Sequence, residues 1–259
     1  MSATTPPSAP APTGDASADE CAVVELRTYT LHPGQRDILI ALFDREFVES
    51  QEAQGMRVLG QFRDGARPDR FVWLRGFADM QARHAALQAF YGGPVWAAHR
   101  DAANATMVDS DNVRLLRPAW PGATTGLAQR PRPAAGTAAA QQAGVGVVDA
   151  TVFPLRAPSS AELLAFCRER MAPALQRGGA RQLAWYCTES APNTFTRLPV
   201  REGEQVLVGL AVFDDAADLQ AFADSGAWTE QVAGELAQWL AGPAQAHRLQ
   251  PTGRSALRL

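Results

Sequence analysis

The chain contains no lysine, and all 24 of its basic residues are arginine. A GC-rich bacterial coding sequence is the ordinary cause of such a bias. Its chemical consequence holds whatever the cause. Schiff-base catalysis, pyridoxal phosphate anchoring and a Walker lysine are excluded. Cysteine is scarce: Cys21, Cys167 and Cys187 are an odd number without CxxC spacing, so no disulfide framework and no zinc site is expected. Free thiols fit a cytoplasmic location. The four histidines form no HxxxH, HxH or HExxH pattern, and no Gly-x-Ser-x-Gly elbow or GxGxxG fingerprint occurs. No apolar run approaches the ~18 residues of a membrane helix, so no membrane span is expected. The first 20 residues have neither a basic start nor an apolar stretch, and read as a Pro/Ala/Ser/Thr-rich tail rather than a signal peptide. A net charge of −3 is near neutral, so no nucleic-acid footprint is implied.

What is present is a pattern stated twice. Val24-Glu25-Leu26-Arg27-Thr28-Tyr29-Thr30-Leu31 is echoed by Val148-Asp149-Ala150-Thr151-Val152-Phe153-Pro154-Leu155, and 71–79 is echoed by 207–215. Each copy alternates strand and helix patterns in the order β-α-β-β-α-β. In the first copy, strands are expected at 23–30, 56–63, 70–77 and 109–116, with helices at 35–53, 79–90 and 95–106. In the second, strands are expected at 146–154, 181–188, 205–213 and 245–250, with helices at 159–176, 215–224 and 227–240. The fold class is therefore α+β: two tandem ferredoxin-like (split βαβ) domains. The boundaries are a tail at 1–22, domain one at 23–117, a Pro/Ala/Gly-rich linker at 118–144, a degenerate domain two at 145–251 and a C-terminal tail at 252–259.

Alternation sorts the strand residues by face. Val24, Leu26, Val72 and Leu74 suit packing under helices. Glu25, Arg27, Tyr29, Phe71, Trp73, Arg75 and Phe77 fall on the opposite face. Aromatics mixed with charges suit a sheet-to-sheet cavity in which rings wall a ligand and arginine holds a polar group. The candidate ligand-binding residues are Glu25, Arg27, Trp73, Arg75, Tyr91 and Trp96. Tyr29 and His99 are the candidate catalytic residues, for proton transfer. The alternative is an ordinary ion-pair network with its aromatics packed at an interface. The second copy has faded here, carrying Gly209 and Ala211 opposite the first copy's Trp73 and Arg75. It is expected to act as a structural lid.

Glu25-Leu26-Arg27-Thr28-Tyr29 with Pro33-Gly34, Phe71-Val72-Trp73-Leu74 with Phe77-Ala78-Asp79-Met80 and Arg83, and Phe90-Tyr91 with Pro94-Val95-Trp96 resemble the NIPSNAP family over about 23–117. The second copy is similar only in pattern. The resemblance implies a dimeric-type α+β barrel formed by the two copies or between chains, and a homo-oligomer. The family carries no agreed reaction. The expected function is thus binding of a small planar or anionic molecule in such a barrel. A cofactor-free monooxygenase or isomerase and a structural interaction module remain alternatives. No cofactor is expected, although the superfamily includes haem-handling enzymes, for which His99 is a candidate ligand.

Overall fold

A computed structural model describes residues 21–259, so the expected N-terminal tail lies outside the described residues except for Cys21 and Ala22. The strands are β1 (Val23–Leu31), β2 (Arg57–Asp64), β3 (Arg70–Phe77), β4 (Met107–Pro118), β5 (Val147–Pro154), β6 (Gln182–Thr188), β7 (Val206–Phe213) and β8 (Gln245–Pro251). The main helical spans are α1 (36–52), α2 (Met80–Tyr91), α3 (Pro94–Asn104), α4 (Ala138–Gln141), α5 (161–177), α6 (Ala216–Asp224) and α7 (229–236). Asp79 caps α2 by accepting from the Ala82 N–H, and Asp215 caps α6 by accepting from the Ala217 and Asp218 N–H groups. Both α1 and α5 contain a π-helical turn, at Phe43–Phe47 and Cys167–Met171, displaced by the same 124 residues as the strand echo.

The eight strands close into one antiparallel barrel ordered β1-β3-β2-β8-β5-β7-β6-β4. Each half contributes four neighbouring strands, and the halves are joined along two seams, β2 with β8 and β4 with β6. The register of β1 on β3 is matched by that of β5 on β7. Glu25 lies opposite Arg75 and Arg27 opposite Trp73, while Asp149 lies opposite Ala211 and Thr151 opposite Gly209.

The barrel interior corrects the expected assignment of faces. Val24, Leu26, Val72 and Leu74 do not pack under helices. They meet Val148, Ala150, Val152, Val208 and Leu210 of the other half and fill the barrel. Tyr29, Phe71, Trp73 and Phe77 instead pack outward against Leu39, Phe43, Phe47 and Phe90 of the first half's helices. Closing a barrel of this size leaves room inside for side chains alone. Mainly aliphatic residues, with Phe62 and Tyr186, fill that space, and the charged aromatic set goes where helices can cover it.

The linker and the C-terminal segment strap one end of the barrel together. The stretch 252–257, expected as a tail, is buried. Arg254 donates to Pro133 O (2.9 Å), Arg258 to Pro131 O (2.6 Å) and the Arg130 N–H to Ala256 O (2.7 Å). A Cβ at Gly253 would collide with the carbonyls of Ala140 and Gln142, so this seam requires glycine. Beside it, Asp44 is half-buried and accepts from Gln61 Nε2 at 3.1 Å. Burial pushes its carboxyl up to about 6 against the pull of Arg254 and Arg63. A raised carboxyl costs stability when ionised, and that cost vanishes as pH falls below the unfolded value. Asp44→Asn is therefore expected to stabilise the protein by about 1–3 kcal/mol at pH 8 and by little at pH 4. Urea unfolding at the two pH values checks this, and an equal gain at both would refute the assignment.

Candidate functional site

Six of the predicted residues come together beneath α1 and α2. Glu25 is fully buried and receives three arginines: Arg27 Nη1 at 2.7 Å, Arg75 Nε at 2.8 Å and Arg83 Nε at 2.7 Å. Burial by itself would raise the Glu25 carboxyl. The attraction of Arg75, Arg27 and Arg83 outweighs it and holds the group far below the usual carboxylate range. Arg27 Nε donates to Tyr29 Oη at 3.0 Å. Burial would lower the Arg27 guanidinium, but Tyr29 and Glu25 more than reverse this. Burial is also the main cause that raises the Tyr29 phenol.

Aromatic rings enclose the cations. The Arg27 and Arg75 guanidinium carbons lie 5.5 and 5.1 Å from the Trp73 ring centroid, and Arg75 lies 5.8 Å from that of Tyr91. Trp96 stands edge-on to Tyr91 at 4.9 Å and touches Phe47 and Phe90, one layer further out. His99 is not brought to the cluster by any of these contacts. Its Nε2 lies 3.4 Å from Glu46 Oε2, and its ring lies edge-on to Phe47.

Arg83 is the site residue that sequence reasoning left out of its candidates. It lies on α2 with Ala86, Leu87 and Phe90, at offsets of three, four and seven. An arginine on the apolar stripe of a helix was the available signal. Gln51, which accepts from Arg75 Nη1 at 2.9 Å, and Asn193, which accepts from Arg83 Nη1 at 3.0 Å, carried no signal because their partners are remote in sequence.

Asn193 belongs to the β6–β7 loop of the second half, which crosses onto the first. Phe195 stacks on Tyr91 with centroids 6.0 Å apart. The Thr194 carbonyl lies 2.7 Å from His84 Nδ1, and the Arg201 N–H donates to Val113 O at 2.8 Å. The corresponding β2–β3 turn of the first half spans only 65–69.

The cluster holds three guanidinium groups and one carboxylate, all buried, giving a formal excess of two positive charges. Among the described residues, Arg75 Nη2 and Arg83 Nη2 are buried without a hydrogen-bond partner. Such atoms are costly to leave unmade. Among the described residues no group of three or more His, Cys, Asp or Glu side chains stands together as a metal site. No helix among them is long and apolar enough to cross a membrane.

The second half differs at the same register. With Thr151, Gly209 and Ala211 opposite Arg27, Trp73 and Arg75 of the first half, the space between sheet and helices is open. It forms a cavity of about 300 Å³ lined by Asp149, Phe153, Phe222 and Trp228 among others. A separate cavity of about 360 Å³ lies at one barrel end, lined by Val24, Leu59, Tyr186 and Leu257 with linker residues over it.

Comparison with known proteins follows this division. The NIPSNAP family model matches residues 24–120, which run from β1 to just past β4. No curated protein matches the sequence. Over the whole barrel, a crystal structure with a provisional monooxygenase assignment from Lactobacillus acidophilus NCFM is similar at 12% identity and TM-score 0.54, covering 93% of this chain and 100% of that one. An anthrone oxidase-like protein is similar at 14% identity and TM-score 0.53, covering 91% and 93%. A NIPSNAP domain protein from Burkholderia xenovorans is similar at 21% identity, covering 38% of this chain and 94% of that one, with TM-score 0.34. At such identities the full-length likenesses establish the α+β barrel fold alone. Residues 24–120, the segment that matches the NIPSNAP family model, carry the buried arginine cluster.

Proposed function

We propose that this protein binds a small planar anionic molecule, and that the NIPSNAP half holds its anionic group between Arg75 and Arg83. The observation that carries the reading is the pair of unpartnered guanidinium nitrogens in a cluster with two cationic charges in excess. A carboxylate or enolate supplies both the acceptors and the missing charge. Tyr91, Trp73 and Trp96 supply rings for a planar body, and Glu25 and Arg27 fix the two other cations in place. Entry requires the Asn193–Phe195 segment to lift from Arg83 and Tyr91. This gives the second half a covering role through one loop. The strand order of each half, β4-β1-β3-β2 and β8-β5-β7-β6, together with the matched register, supports reading the halves as tandem ferredoxin-like units.

The enzymatic alternative, a cofactor-free monooxygenase or isomerase, would use Tyr29, whose raised phenol suits a proton donor better than a base. His99 would need to leave Glu46 to take part.

Native mass spectrometry of the full chain beside a denatured sample tests the binding reading. A mass excess lost on denaturation, and absent from an Arg83→Met variant that still melts cooperatively, is the expected result. Salicylate should also raise the melting temperature of the wild type but not of that variant. If the wild type carries no adduct and salicylate leaves its melting unchanged, the cluster is a structural ion network and the reading fails.

A further inference from the structure

The two halves place different side chains at one register, and the difference creates a second site. Around Glu25 the sheet–helix space is filled by Arg27, Trp73 and Arg75. Around Asp149 the same positions hold Thr151, Gly209 and Ala211, and a cavity of about 300 Å³ remains. This lies at the lower end of the ~300–1,000 Å³ of small-molecule pockets. The cavity opens to solvent past Ala223, Thr229, Ala244 and Arg248, so a small molecule has a path into it.

The lining joins an apolar wall to a few polar groups, Asp149, Thr151, Thr229 and Arg248. Phe153 and Trp228 lie nearly parallel with centroids 6.1 Å apart, and Phe222, Leu175 and Leu219 complete an apolar wall. The charged group set into that wall is Asp149. Among the described residues its side chain takes a single hydrogen bond, from Thr151 Oγ1 at 3.2 Å. Its cross-strand neighbour Arg248 stands at the exposed rim and donates to Gln220 Oε1 at 2.6 Å. The first half gives its carboxylate three arginines. The second gives its carboxylate none within ion-pair distance among the described residues, and an aromatic cavity instead.

We propose that this cavity binds a small organic amine with a planar or apolar body, its ammonium group on Asp149 and its body against Phe153 and Trp228. A cation supplies the charge that Asp149 lacks and is attracted to the faces of the flanking rings. An anion would meet the carboxylate, and a neutral molecule would leave its charge uncompensated. Burial raises the Asp149 carboxyl, which is consistent with a group awaiting a partner. The site is separate from the arginine cluster in residues, in half and in the sign of its ligand, so the two readings stand or fall independently.

Isothermal titration of the full chain with 2-phenylethylamine and with tryptamine tests it, with 2-phenylethanol and phenylacetate as matched neutral and anionic probes. At least one amine should bind with a Kd below about 1 mM. The alcohol and the acid should bind at least tenfold more weakly. Asp149→Asn keeps the shape and removes the charge, and should weaken amine binding tenfold or more without changing the melting temperature by more than a few degrees. Ala211→Met fills the cavity floor and should abolish binding. If that variant does not fold, Asp149→Asn still decides. The proposal is overturned if neither amine binds, if Asp149→Asn binds them as the wild type does, or if the alcohol or the acid binds as tightly as the amines.

Discussion

Glu25→Gln is expected to destabilise the protein by at least about 3–5 kcal/mol, the cost of breaking a buried ion pair by removing one partner. Here a single carboxylate neutralises three cations. Arg27, Arg75 and Arg83 all lie within 2.8 Å of it, and all are buried. A glutamine amide can accept from one of them, and turns its NH₂ group toward another. The three guanidinium groups then repel one another in a medium that screens them poorly. Denaturant unfolding checks the magnitude. A double variant, Glu25→Gln with Arg83→Met, should lose less than the sum of its parts, because it removes one of the stranded cations. The pH dependence has a definite sign. Glu25 is held below its unfolded value, so its contribution is complete above about pH 4.5 and declines as pH falls. The wild type should lose this component of stability on acidification and Glu25→Gln should not. A loss below 1 kcal/mol at neutral pH would show that the arginines are solvated or otherwise paired.

Trp73→Ala is expected to cost about 3–5 kcal/mol, the range for truncating a large buried aromatic. Trp73 is 2% exposed and is among the largest fully buried side chains. Its ring stands edge-on to Tyr29 at 6.0 Å and to Phe43 at 4.8 Å, and two guanidinium groups lie over it. Removing it would open a space between the sheet and the helices of the first half. The melting temperature should fall by roughly 6–20 °C. Because the new cavity is walled by rings, added indole should restore part of the loss to the variant and none to the wild type, as apolar cavities admit apolar guests. A variant that melts like the wild type would mean that the helices collapse onto the sheet and that Trp73 fills no fixed space.

Much of the fold was legible because its signals are local. The eight strands and the paired helices fall within a few residues of where alternation and three-to-four spacing put them. Asp79 and Asp215 announce their helices through capping. Glu25, Arg27, Tyr29, Trp73 and Arg75 were legible as one constellation because alternation puts them on one face of adjacent strands, and β1–β3 pairing brings them opposite one another. Arg83 and Asn193 were not, since the first reaches the cluster from a helix and the second from the other half of the chain. His99 shows the limit of helical spacing. It shares a helix with Trp96, but its side chain meets Glu46 and Phe47.

The sequence by itself determined the elements, the two-fold echo and the membership of each strand face. The tertiary structure decided which face points inward. Alternation is symmetric in that respect: it separates Val24 and Leu26 from Glu25 and Arg27 but does not say which set looks at the other half. That choice follows from the seams β2–β8 and β4–β6, made between segments nearly 200 and 70 residues apart. Once those seams close the barrel, its narrow interior is filled mainly by aliphatic side chains with Phe62 and Tyr186, and the charged aromatic face must be covered by helices. The same closure sets a filled, arginine-rich interlayer in the first half beside an open, acidic one in the second, a contrast held in Trp73 and Arg75 against Gly209 and Ala211 that acquires its meaning only when the two registers are seen to match.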